Sequence, residues 1–200
     1  MVTKLLVASR NPKKLAELRR VLDGAGLSGV TLVSLNDVAP FGEAPETGAT
    51  FEDNALNKAR ATFAATGLAS VADDSGLEVA ALNGMPGVLS ARWSGGHGDD
   101  AANTALLLAQ LRDVPDDRRG AAFVSACALV SASGEVVVRG HWPGTIAREP
   151  RGDGGFGYDP IFIPDGYQRT AAQLSPEEKD AMSHRGRALR LLLPELRALA

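Results

Sequence analysis

Two long segments that read as strands, Ala121 to Ser131 and Glu135 to Ile146, are separated only by a short turn at Ser133-Gly134. Runs of that length on either side of a tight turn predict a β-hairpin. The chain opens differently. Leu5 to Ala8 is short and apolar and reads as a buried strand, and Ser9-Arg10-Asn11-Pro12 punctuates it. Asn11 suits an N-cap and Pro12 the first helical position. Leu15, Leu18 and Leu22 then share one helix face, and Gly24 and Gly26 stop the helix. A hairpin and a strand–turn–helix unit in one chain predict an α/β protein with a mixed sheet and flanking helices, not a regular doubly wound fold.

Further elements follow from spacing. Thr50 with Asp53 resembles a capping box, and Phe51, Ala55, Ala59 and Phe63 recur every four residues up to Gly67, which predicts a helix carrying Lys58 and Arg60. Leu68 to Ala72 and Leu77 to Leu82 read as two short strands. A helix is expected from about Asp99 to Arg112, a helix start at Ser175-Pro176-Glu177-Glu178, and a helical tail from about Arg187.

Composition excludes several classes of protein. Lys and Arg number 21 against 24 Asp and Glu, a net charge of −3, so the basic excess of a general nucleic-acid binder is missing. One cysteine, Cys127, excludes an intrachain disulfide framework and a cysteine-rich zinc site. No apolar run reaches the roughly 18 residues of a membrane span, and Leu5 to Ala8 is too short for a signal-peptide core. A cytoplasmic protein of one domain over residues 1–200, without a membrane or nucleic-acid partner, is the expectation.

Four segments suit chemistry. In Ser9-Arg10-Asn11-Pro12-Lys13-Lys14 a helix begins directly after a strand. Its free N–H groups and dipole suit an anion, and a phosphate would compensate the two lysines that otherwise oppose that dipole. The same residues also suit a capped surface helix with solvated lysines. In Ala72-Asp73-Asp74-Ser75-Gly76 paired carboxylates end a strand at a Gly turn, where they could hold Mg²⁺ or supply a general base, or simply cap the turn. In Gly152 to Pro160 the glycines allow close approach of a ligand, Phe156 and Tyr158 offer faces for stacking, and Asp159 offers a carboxylate. In Lys179 to Arg185, Lys179, His184 and Arg185 suit donation to an anion or to purine acceptors, and equally suit a solvated helix end.

Other patterns fail their structural tests. Gly24 to Gly29 matches G-x-G-x-x-G but follows a helix, and Gly152 to Gly157 leads into an extended segment, so neither marks a dinucleotide site. His97, His141 and His184 lie apart in sequence, against a histidine zinc site.

Taken in order, the motifs Ser9 to Leu18, Glu46 to Ala55, Ala72 to Leu77, Pro86 to Trp93, Gly154 to Phe162, Glu178-Lys179 and Ser183 to Gly186 resemble the inosine triphosphatase family, the dITP/XTP pyrophosphatases, from residue 5 to about 192. The resemblance implies an elongated mixed α/β fold with two lobes around a central cleft, a homodimer and a Mg²⁺ requirement. It implies hydrolysis of nonstandard purine nucleoside triphosphates (ITP, dITP, XTP) to monophosphate and pyrophosphate. A related nucleotide pyrophosphatase with another base preference is the alternative. Carried over residue by residue, Ser9, Arg10, Asn11, Pro12, Lys13 and Lys14 would cradle phosphates, with Asn54 and Lys58 beside them. Asp74 would bind metal and act as general base, and Glu46 and Asp73 are further candidate metal ligands. Ser75 and Arg92 would touch the substrate. Phe156, Gly157, Tyr158 and Asp159 would bind the nucleoside, and Lys179, His184 and Arg185 would read the base. Ser9-Arg10-Asn11 stands where the family usually has Thr-Gly-Asn.

Overall fold

The computed structural model describes residues 3–42 and 44–200, with Lys13 described by its backbone alone. β1 (Thr3–Val7) leads into α1 (Pro12–Gly24), as the Pro12 signal predicts, and β2 (Val30–Ser34) lies parallel to β1. α2 (Phe51–Thr66) is closed at both ends: the Thr50 hydroxyl accepts the Asp53 N–H, and Gly67 adopts a left-handed conformation that an L side chain would strain. Its apolar stripe buries Phe51, Ala55 and Ala59.

β3 (Ala69–Val79) pairs parallel with β1 and corrects the expectation of two strands. The chain runs straight through Asp73-Asp74-Ser75-Gly76 instead of turning there. Gly76 makes this possible by its missing side chain. A Cβ there would stand 2.7 Å from the Gly87 carbonyl oxygen and closer still to the Ser90 hydroxyl, which accepts the Leu77 N–H at 2.9 Å. The strand ends at Val79, and residues 80–82 form a 3₁₀ turn.

α3 (Asp100–Gln110) is capped by Asp99, whose side chain accepts the Ala102 N–H. β4 (Gly120–Ser131) and β5 (Gly134–Ile146) form the hairpin that their sequence predicts. β6 (Phe162–Pro164) pairs antiparallel with β5. β2 was not expected as a strand, and β6 falls at the end of the segment read as extended. The order of the mixed sheet is β2-β1-β3-β4-β5-β6. α4 (Pro176–Met182) starts in a full capping box at Ser175 and Glu178. α5 (His184–Ala198) begins three residues before the predicted tail. No helix among the described residues is long and apolar enough to cross a membrane.

The chain falls into two compact units. The first comprises the chain up to Asp74, Ser125–Gly140 and Arg185–Ala200; its core joins Leu5, Val7, Leu18 and Leu22 to Cys127, Leu129, Leu192 and Leu196. The second comprises Ser75–Val124 and His141–His184; its core is aromatic, with Phe123, Trp142, Tyr158 and Phe162 around Leu77, Leu107 and Leu111. Each leucine fully buried this way contributes about 1.5–3 kcal/mol, which is what holds each set of active groups on a fixed scaffold.

Candidate active site

In the first unit the segment between β1 and α1 presents polar groups as the sequence predicts. The Ser9 hydroxyl accepts the Asn11 N–H at 3.1 Å, and Pro12 opens the helix, where the first N–H groups lack helical partners. Arg10 fits where the family usually has glycine because the backbone does not need a positive φ there; among the described non-glycine residues only Asn83 has one. Arg10 Nη1 lies 3.5 Å from Asn36 Oδ1. Lys14 in the first turn of α1 opposes the helix dipole, and the structure compensates it with Asp73, whose Oδ1 is 2.9 Å from Nζ. The Lys13 side chain lies outside the described residues.

Alternation along β3 sends Asp73 and Asp74 to opposite faces. Asp73 faces Lys14 and Arg185; Arg185 Nε donates to Asp73 Oδ2 at 3.1 Å and Arg185 Nη1 to Glu17 Oε2 at 3.2 Å. Burial works to raise the Asp73 pKa, but the charges of Lys14 and Arg185 more than offset it and hold the carboxyl well below the usual range. Asp74 meets α2 instead. Asn54 Nδ2 donates to its Oδ2 at 3.0 Å and Lys58 Nζ to its Oδ1 at 3.2 Å. Here burial dominates and pushes the carboxyl pKa up, opposed chiefly by Lys58. Lys58 is buried enough to lose basicity, yet the carboxylates of Asp74 and Glu46 outweigh that and raise its pKa. Asn54 is itself fixed, since its Oδ1 accepts the Gly48 N–H at 2.7 Å.

The donor set of this cluster fits Mg²⁺. Glu46 Oε1 and Asp74 Oδ1 converge on one cationic atom, Lys58 Nζ, at 2.8 and 3.2 Å. No group of three His, Cys, Asp or Glu suited to a metal occurs among the described residues. Two carboxylates are nevertheless what Mg²⁺ commonly takes from a protein when phosphate oxygens and water complete its shell. Asp73, also expected as a ligand, is committed to Lys14 and Arg185.

The second unit contains a pocket of about 550 Å³, counting the solvent at its open mouth. Ser75, Gly76, Ser90, Asp100, Phe123 and His184 line it, together with Phe156 to Asp159 and Lys179. Tyr158 is the scaffold: its hydroxyl donates to the Ser90 carbonyl at 2.9 Å, and burial raises its pKa far above the ordinary phenol value. Asp159 is 2% exposed; it accepts the Phe156 N–H at 2.8 Å and is ion-paired with Lys179. The Lys179 ammonium also stands 5.1 Å from the centroid of the Phe156 ring, within cation–π range. Phe156 is 53% exposed, so part of its ring surface reaches solvent. The His184 ring stacks on Phe123 at 5.0 Å.

The structure therefore gathers the expected residues into two groups. Ser9, Lys14, Asn54, Lys58, Glu46, Asp73 and Asp74 belong to the first unit, and Ser75, Phe156 to Asp159, Lys179 and His184 line the pocket of the second. Arg185, expected beside the base, instead pairs with Asp73 and Glu17 in the first unit. Arg92 is not among the pocket-lining residues, although its neighbours Ser90 and Ala91 are. Sequence reasoning missed Glu17, an acid buried among the leucines of α1, and Asp100, which it read only as part of a helix start.

Comparison with known proteins gives a consistent result. The model of the Ham1 family matches residues 5–195. The dITP/XTP pyrophosphatase of Mycobacterium tuberculosis (strain H37Rv) is 84% identical over 200 residues, covering 100% of this chain and 98% of the relative. That of Mycobacterium leprae is 82% identical, with the same coverage. Among solved structures, the nucleoside-triphosphatase / dITP/XTP pyrophosphatase of Mycobacterium abscessus is 74% identical with a TM-score of 0.82, covering 98% of this chain and 100% of that one. A HAM1 protein from Coxiella burnetii is 42% identical with a TM-score of 0.89, covering 98% and 99%. With nearly its whole length matched in sequence and fold, the chain belongs to the Ham1 family.

Proposed function

We propose that this enzyme hydrolyses nonstandard purine nucleoside triphosphates (dITP, ITP and XTP) to the monophosphate and pyrophosphate, and so clears them from the nucleotide pool. The observation that carries the reading is Asp74, a partly buried carboxylate with a raised pKa, fixed by Asn54 and Lys58. A carboxylate so held can take the proton of an attacking water, and general-base catalysis of this kind contributes roughly 10²–10⁴-fold.

Other residues act on charge and orientation. The β1–α1 segment with Lys14 and Lys58 offsets the charge of the triphosphate and of the leaving pyrophosphate. Glu17 holds Arg185, which holds Asp73, and Asp73 in turn orients Lys14. Glu46 and Asp74 would hold Mg²⁺, which when bound neutralises phosphate charge. In the second unit, Phe156 supplies the stacking face. Lys179 and His184 supply donors for the 6-oxo group, which hypoxanthine and xanthine carry and adenine replaces with an amine. A cytoplasmic homodimer acting on a free nucleotide, with no nucleic-acid or membrane partner, completes the reading.

The test is product analysis with ITP, dITP, XTP, ATP and GTP, with and without Mg²⁺. Pyrophosphate and monophosphate from the first three, with little from ATP or GTP, is the expected result. Release of orthophosphate would overturn the reaction, and equal use of all five would overturn the base preference.

A further inference from the structure

The pocket of the second unit holds two carboxylates in different electrostatic states. Asp159 is buried and its charge is met by Lys179. Asp100, the first residue of α3, is exposed to solvent while lining the same pocket, and its Oδ2 accepts the Gly157 N–H at 2.7 Å. No cation among the described residues lies within ion-pair distance of it. The charged and titratable groups lining this pocket are Asp100, Asp159, Lys179 and His184, with the Tyr158 hydroxyl kept neutral. Asp159 and Lys179 are paired, which leaves Asp100 as the carboxylate of this pocket with no ion pair among the described residues.

We propose that Asp100 is a specificity-determining residue that favours neutral 6-oxopurines over those that ionise. This rests on the purine occupying this pocket, as the proposed function requires. Hypoxanthine keeps its ring protons at neutral pH. A 2,6-dioxopurine such as xanthine loses one in the mildly acidic range and becomes an anion. An anionic base beside an uncompensated carboxylate is repelled. For two charges roughly 6–8 Å apart in a solvated pocket, the penalty is about three- to fivefold in relative affinity. Asp100 also anchors the loop that carries Phe156, because its carboxylate receives the Gly157 N–H. The two roles are separable. Asn at this position keeps an acceptor for that N–H and removes the charge.

The experiment measures kcat/KM for XTP and dITP at about pH 5 and about pH 8, in wild type and Asp100→Asn. The XTP-to-dITP ratio is expected to rise by about three- to fivefold in the variant at the higher pH and to change little at the lower one, where xanthine is neutral. An unchanged ratio at the higher pH overturns the proposal. So does an equal change at both, which would be the mark of loop anchoring alone. A readout without any variant is binding of the monophosphates XMP and IMP to the wild-type enzyme. Their affinity ratio must fall between the lower and the higher pH, and a constant ratio overturns the proposal. If the wild type hydrolyses dITP but this ratio stays constant, the charge argument fails alone. If it hydrolyses neither nucleotide, the functional reading has failed and takes the proposal with it.

Discussion

In the first unit, Asp73 and Asp74 meet four nitrogen-bearing side chains, those of Lys14, Arg185, Asn54 and Lys58. In the second, the pair of Asp159 and Lys179 is set among Phe123, Phe156, Tyr158 and His184. On the proposed function the first arrangement would take the multiply charged part of the ligand, with phosphate and metal replacing the carboxylate–lysine pairs. The second would take the flat base, and its one lysine serves a buried acid and an exposed ring together. The contrast teaches that a carboxylate–lysine pair does not have one role. Asp74 has its pKa raised beside Lys58 because burial outweighs the ammonium, whereas its neighbour Asp73 is driven down because Lys14 and Arg185, with a smaller share from Lys58, outweigh burial. One step along a strand inverts the balance.

The sharpest way to break this comparison is Asp74→Asn. The amide keeps the size of the side chain but cannot take a proton. Turnover of dITP is expected to fall by roughly 10²-fold or more, while nucleotide binding survives. Steady-state kinetics with a binding measurement decides it, and a near-normal kcat would remove Asp74 from the base role. The matching change in the second unit is Lys179→Met. It leaves Asp159, 3% exposed at its side chain, with the Phe156 N–H and no cation. Breaking such a buried pair costs about 3 kcal/mol, which in a chain of this size lowers the Tm by roughly 6–10 °C. A Tm within about 2 °C of wild type would show that Asp159 does not depend on Lys179.

Local chemistry was legible in the sequence wherever it depended on neighbours along the chain. Asn11-Pro12, Thr50 with Asp53, and Ser133-Gly134 each mark an element boundary through turn and capping preferences, and the structure has a boundary at each. The carboxylates Asp73-Asp74 were legible as a pair. Their separation was not, because the Asp-Asp-Ser-Gly string reads as a turn until Ser90 and Gly87 are known to pack against Gly76. Long-range pairing was equally hidden. Arg185 lies 112 residues from Asp73 in the chain, and at a helix end it looked like a donor for the base. His184, read as a donor to the base or as part of a solvated helix end, lines the pocket and stacks on Phe123, a contact its position in the chain does not announce. β2 escaped because a short strand with no alternation carries little periodic signal.

The smallest expected effect tests the charge balance of the first unit through pH. In Lys14→Met, Asp73 keeps Arg185 and Lys58 but loses the largest of its favourable charges. A carboxyl whose pKa is lower folded than unfolded contributes stability that is fully present above the ordinary Asp value, near 4, and drains away as pH falls below it. Removing Lys14 brings the folded value back toward the unfolded one, so the variant has less of this contribution to lose. Measured without substrate, its Tm deficit against wild type is expected to be constant from about pH 7 to 5 and to narrow below about pH 4, where the carboxyl begins to protonate in the unfolded chain. At neutral pH the deficit corresponds to about 1 kcal/mol, because Lys14 is partly exposed and its pairing is weakened by solvent. A deficit that stays constant through the acid range would mean that Lys14 stabilises α1 by packing alone and that Asp73 is held down by Arg185.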